Sequence, residues 1–207
     1  LRDNGFGGLL ADDMGLGKTL QVISMLGNWK GRKRALIVAP ASLVYNWAQE
    51  IEKFLPSLPH TIVVGLPEVR KQIIESAGEE DVLITSYQLL QRDIDLYQDI
   101  HFSCQIIDEA QNIKNANTLT SKATKLINAD FKVALTGTPI ENRLSELWSI
   151  FDYLMPGFFH GYDNFRKRFE LPIMQQGDEE SEKQLTAMIS PFVLRRLKKD
   201  VLKDLPD

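Results

Sequence analysis

The sequence predicts an α/β fold, a parallel sheet sandwiched by helices with a small helical protrusion. Short apolar runs suited to strands buried on both faces alternate with amphipathic helical stretches, joined by short connections. The first such pair is separated by a glycine loop, Asp12-Asp13-Met14-Gly15-Leu16-Gly17-Lys18-Thr19. Three polar motifs fall at the carboxyl ends of strands, where open parallel sheets bind ligands.

Residues 8–11 form the first strand, and Leu20, Val22, Ile23, Leu26 and Trp29 mark one face of the helix after the loop. Residues 35–39, closed by Pro40, are a buried strand. Ser42 is expected to cap a helix with Leu43, Trp47, Ile51 and Phe54 on one face, ended by Pro56 and Pro59. This spacing puts Trp47 in the core rather than on a base-stacking surface. Strands follow at 61–64 and 81–85, with helices at 67–76 and 86–97. A strand leads into Asp108-Glu109-Ala110-Gln111, another at 131–135 leads into Thr136-Gly137-Thr138-Pro139, and an apolar helix from Leu144 to Leu154 stops at Pro156-Gly157. Residues 158–174 are aromatic and basic, 176–182 read as an acidic turn, and Leu185, Met188 and Ile189 mark a second helix. These predict a helical hairpin on the main domain, followed by a basic segment from Pro191.

The 207 residues, 43% hydrophobic and 25% charged, suit one domain with a core and a small appendage. A net charge of −4 gives no global case for nucleic acid, so any such case is local. The single cysteine, Cys104, excludes an internal disulfide and reads as a buried thiol in a reducing compartment. His60, His101 and His160 lie far apart and offer no metal-ligand spacing. No apolar run reaches membrane-spanning length, and no signal peptide opens the chain. The chain starts at Leu1, just before the glycine loop, and stops after a basic segment; it reads as an excised piece of a longer protein.

The chemistry begins with the loop. A helix N-terminus carries unpaired N–H groups and partial positive charge, and glycines let backbone curl around a phosphate. Asp13, Met14, Gly15, Leu16 and Gly17 would line that cradle, Lys18 would reach the β- and γ-phosphates, and the Thr19 hydroxyl would hold Mg²⁺. Asp12 stands where the usual phosphate loop has its first glycine. Asp108 would hold the metal and Glu109 the attacking water, although acids after strands are also common turn residues. Pro40, Ser42, Thr85 and Ser86 offer hydroxyls and helix N-termini to nucleic-acid phosphates, and equally good helix caps. Thr136 and Thr138 would sense nucleotide or a bound strand, or merely turn the chain. Arg166, Lys167 and Arg168, and Arg195, Arg196, Lys198 and Lys199, are basic clusters that read as phosphate contacts or as solvated faces.

Together the loop, residues 35–54, the run from Asp108 to Asn115, the run from Thr136 to Arg143, and Pro191-Phe192-Val193-Leu194-Arg195-Arg196 resemble the Swi/Snf-type family, duplex-DNA translocases of helicase superfamily two. The resemblance covers essentially the whole chain, and Asp12 is no anomaly within it. Gln111, where many chromatin remodellers carry His, resembles the bacterial and recombination-associated branches. The resemblance implies ATP and Mg²⁺ as cofactors, with Gln111 in the nucleotide site. It implies a first RecA-like lobe at 1–157, cut short at its N-terminus, a helical protrusion at 158–190, and a segment at 191–207 leading to a second lobe. It implies duplex DNA and that second lobe as partners, no membrane, a monomeric fragment with little hydrolysis of its own, and a bacterial cytoplasm or a eukaryotic nucleus. Two alternatives stand beside it. One is an RNA helicase lobe, whose third motif usually resembles Ser-Ala-Thr; the other is a DNA-binding module without catalysis.

Overall fold

The structure, a computed structural model, describes residues 1, 5–29, 34–137 and 144–201. Seven parallel strands form one sheet in the order β3-β4-β2-β5-β6-β1-β7. In chain order they are β1 (Gly8–Leu10), β2 (Ala35–Ala39), β3 (His60–Ile62), β4 (Val82–Ser86), β5 (His101–Ile107), β6 (Asn128–Leu135) and β7 (Val193–Leu194). The longer helices are α1 (Lys18–Gly27), α2 (Val44–Phe54), α3 (Pro67–Ser76), α4 (Tyr87–Asp93), α5 (Leu119–Leu126) and α6 (Leu144–Leu154). After them, α7 (Tyr162–Phe165), a π turn (Arg166–Glu170) and α8 (Leu171–Gln176) run on without a break, and α9 (Glu179–Ile189) and α10 (Lys198–Val201) follow.

Side chains alternate across a strand, so a strand covered on both sides feeds two cores. In β2, Leu36 and Val38 join one cluster and Ala35, Ile37 and Ala39 the other, all with no exposed surface. The second cluster holds Val22, Ile23 and Leu26 of α1 and Trp47 and Ile51 of α2. The first holds the apolar face of α6, with Leu147, Ile150, Phe151 and Leu154. The sheet is thereby sandwiched as the alternation predicts.

Residues 158–190 pack into that first cluster through Phe165, Phe169 and Leu185. A chain of rings carries the packing: Phe151 lies 5.3 Å from Phe159, which lies 5.0 Å from Phe165. The expected acidic turn at 176–182 is shorter than the sequence reading has it. Gly177 ends α8 in a left-handed conformation, the Asp178 carboxylate accepts the Glu180 N–H, and Glu179 already belongs to α9, whose N-terminus favours acids. Ser42 does not cap α2. A tight turn at Ala41–Leu43, closed by the Leu43 N–H donating to the Pro40 carbonyl at 2.8 Å, moves the helix start to Val44.

The basic C-terminal segment has a place in the sheet that the sequence does not announce. Val193 and Leu194 pair with Leu9 and Leu10, so β7 is the edge strand beside β1. Thr138 and the rest of the third motif to Arg143 lie outside the described residues.

Candidate active site

The loop between β1 and α1 takes its form from two glycines. Gly15 (φ 85°) and Gly17 (φ 74°) are left-handed, a conformation that costs a residue with a Cβ about 1–2 kcal/mol. Gly17 precedes α1 without a side-chain cap, which leaves the first-turn amides for an anion. Lys18 Nζ is folded back on the loop, donating to the carbonyls of Asp12 at 2.7 Å and Asp13 at 3.3 Å. Lys18 and Thr19 are half-buried, while Met14, Gly15 and Gly17 are exposed. The Leu16 carbonyl accepts from Gln21 Nε2 at 3.1 Å.

Asp12, in the position of the usual glycine, is fully buried. It accepts from the Arg196 main-chain N–H at 2.8 Å, from Arg196 Nε at 3.1 Å and Nη2, and from Gln21 Nε2 at 3.2 Å. Burial alone raises a carboxyl pKa, but the Arg196 guanidinium and the Gln21 amide outweigh it and hold Asp12 below its ordinary value. Asp13 Oδ2 accepts the Lys198 N–H at 2.9 Å. Arg196 is therefore committed to the loop rather than standing free in a basic cluster.

The second motif leaves β5. Asp108 is only 8% exposed, and both carboxylate oxygens accept neutral donors. Trp47 Nε1 donates to Oδ2 at 2.9 Å, and the Glu109 N–H donates to Oδ1 at 2.8 Å. Burial is the strongest influence on it and raises its pKa, against the lowering effects of the Trp47 bond and the Lys18 charge. Tyr87 OH donates to the Asp108 carbonyl at 2.6 Å, fixing the strand end. Glu109 is left-handed at φ 51°, a strained conformation for a residue with a Cβ. Gln111 Nε2 donates to its Oε2 at 2.6 Å.

The third motif meets the other two. Thr136 is 1% exposed, and its hydroxyl donates to Gln111 Oε1 at 3.4 Å. A Cβ on Gly137 would lie 2.9 Å from Met14 Cγ and 3.6 Å from Lys18 Nζ. The three motifs thus converge at one edge of the sheet.

The expected nucleic-acid contacts divide. Ser42 is exposed and Pro40 half-buried. Thr85, at 0% exposure, and Ser86, at 4%, are not surface groups. Ser86 Oγ accepts the Leu89 N–H at 3.2 Å as the cap of α4. Thr136 is buried like Thr85 and Ser86, and its hydroxyl joins two motifs. Arg166, Lys167, Arg168 and Arg195 are exposed. Two functional partners escape a sequence reading: Trp47, which steadies Asp108, and Arg196, which neutralises Asp12. Trp47 carries the correct core signal and no sign of its indole bond.

The match to known proteins is extensive. The SNF2-related domain family matches residues 1–207. The chain is 45% identical over its full length to an uncharacterized ATP-dependent helicase of Mycoplasma genitalium, covering 20% of that protein. It is 42% identical to the putative ATP-dependent helicase/translocase YwqA of Bacillus subtilis, covering 23%. The chain spans about a fifth of the length of these curated relatives. The Sulfolobus solfataricus SWI2/SNF2 ATPase core in complex with dsDNA superposes with a TM-score of 0.86 at 40% identity, over 99% of this chain and 43% of that one. The described sheet is that of its RecA-like lobe. The chain belongs to the SNF2-related domain family.

Proposed function

We propose that this chain is the ATP-binding lobe of a DNA-dependent ATPase that translocates on duplex DNA and remodels protein–DNA complexes. The observation that carries the reading is Asp108, a buried carboxylate held by neutral donors within range of the Lys18 charge, where three motifs meet. The uncapped amides of α1 and the Lys18 ammonium suit the phosphates of ATP. Asp108 would hold a magnesium ion, directly or through its waters. Among the described residues no group of three or more His, Cys, Asp or Glu could hold a metal alone, which fits an ion shared with the nucleotide's phosphates.

When bound, the nucleotide would supply the phosphoanhydride bond to be broken, and magnesium would offset the negative charge of its phosphate oxygens. The chain's residues supply the rest. Lys18 Nζ, now on two loop carbonyls, would hold phosphate oxygens, and the Thr19 hydroxyl would help hold the ion. Gln111 holds Oε2 of Glu109, so that Oε1 orients the attacking water and takes its proton. Thr136 connects that pair to the start of the third motif, and Thr138, Pro40 and Ser42 are the residues proposed to contact the DNA backbone.

In this reading residues 1–157 are the nucleotide lobe, 158–190 a helical protrusion, and 191–207 a basic segment leading to a second lobe. The second lobe completes the site, so the lobe alone is monomeric and hydrolyses little. No described helix is long and apolar enough to cross a membrane; a bacterial cytoplasm or a eukaryotic nucleus is the compartment proposed. The test is ATP hydrolysis by the intact protein with and without duplex DNA. Duplex DNA should stimulate it, and Lys18→Ala and Glu109→Gln should each remove about 10²-fold or more. Stimulation by RNA instead would replace this reading with an RNA helicase, and DNA binding without hydrolysis would leave a binding module.

A further inference from the structure

A segment that reads in sequence as a basic cluster is laced to the phosphate loop. The Ala11 N–H donates to the Leu194 carbonyl at 2.8 Å and the Asp13 N–H to the Arg196 carbonyl at 3.1 Å. In return the Arg196 and Lys198 N–H groups donate to the carboxylates of Asp12 and Asp13 at 2.8 and 2.9 Å. Arg196 Nη2 also donates to Gln21 Oε1 at 2.7 Å, on the first turn of α1. Lys198 Cε lies 3.3 Å from where a Cβ of Gly15 would sit.

Asp12 is the joint. Its side chain is held by Arg196, and its main-chain carbonyl holds Lys18 Nζ. A buried carboxylate left without its cation is costly, so a shift of Arg196 must drag Asp12 with it. Dragging Asp12 moves the carbonyl that parks Lys18. A guanidinium fork meets two carboxylate oxygens and Gln21 at once, which an ammonium cannot do.

We propose that Arg196 is a positioning residue for nucleotide binding, and that residues 193–198 and the phosphate loop move as one body, so that nucleotide and the seating of this strand control each other. The proposal rests on the nucleotide-binding reading above. Linkage makes the effect reciprocal: whatever favours the seated strand tightens nucleotide, and nucleotide tightens the strand.

The experiment uses the intact protein, with magnesium and a fluorescent ADP as probe and hydrogen exchange over residues 193–201. Nucleotide should slow exchange in that segment. Arg196→Gln should weaken binding about tenfold or more, the scale of one lost charge-assisted interaction. Arg196→Lys should recover part of that loss, and Lys199→Gln, which removes a neighbouring charge, should bind as wild type. Circular dichroism checks that each variant is folded. Wild-type exchange at 193–201 that ignores nucleotide overturns the proposal without any variant. So does a folded Arg196→Gln protein that binds normally while Lys18→Ala does not, a result that spares the nucleotide reading. Absence of binding by the wild type overturns both.

Discussion

Two buried carboxylates stand at two strand ends of this site and are treated in opposite ways. Asp12 is matched with a guanidinium and has its charge cancelled. Asp108 receives an indole N–H and an amide N–H, which fix its orientation and leave its charge in place. A paired carboxylate is a structural part, whereas an oriented but uncancelled one remains able to meet a cation. The difference lies in the partner, since both side chains are withdrawn from water.

The largest expected effect comes from removing the two charges in turn. Asp108→Asn should cut hydrolysis by the intact protein by about 10²–10³-fold, while Asp12→Asn should act mainly through weaker nucleotide binding. Equal losses of turnover at saturating nucleotide would erase the distinction. Trp47→Phe comes next. It keeps the ring and removes the donor, so the magnesium concentration for half-maximal activity should rise about tenfold, within the range for residues that orient a metal-binding group. An unchanged magnesium requirement would make Trp47 only a core residue.

The pH dependence separates the pair more gently. Asp12 titrates below its ordinary value in the folded chain, so its stabilisation is complete above the unfolded value and is lost as pH falls through the folded one. Asp108 titrates above its ordinary value, so the folded chain holds a proton there that the unfolded chain has released. Stability from Asp108 therefore declines as pH rises through that window, and its charged form is a cost at neutral pH. Carboxyl carbon shifts followed from about pH 3 to 7, around the reference value near 3.9, should move in these opposite senses. The smallest effect is Ser86→Ala, which should cost about 1 kcal/mol of unfolding free energy as a lost helix cap and leave DNA affinity unchanged. A drop in DNA affinity without loss of stability would return Ser86 to the DNA surface.

Local signals made much of this legible. Proline in the first turn of α3 and a strong apolar pattern in α6 announced both helices close to their observed limits. The all-buried β2 was visible as an unbroken apolar run, and β4 as Val82-Leu83-Ile84 running into two hydroxyl residues. α5 was not, because Leu119–Leu126 is largely polar and its buried side, Ser121, Ala123 and Thr124, carries no hydrophobic stripe. The two-residue β7 has no period to read and exists only through its register with β1. In the site, the loop and the acidic pair stood out because each is contiguous. Trp47 with Asp108 spans 61 positions and Arg196 with Asp12 spans 184, and no spacing rule reaches that far.

The strand order also sets a timetable. Of the seven described strands β1 comes first in sequence, yet its neighbours are the last two, β6 and β7. Contacts of such sequence separation form late, since long loops must close before they are rewarded. The middle of the sheet, β2 with β4 and β5, can assemble first while the glycine loop waits unanchored. A nascent chain therefore acquires its framework well before its phosphate loop, and a truncation ahead of residue 193 would leave a folded centre with an unfinished pocket.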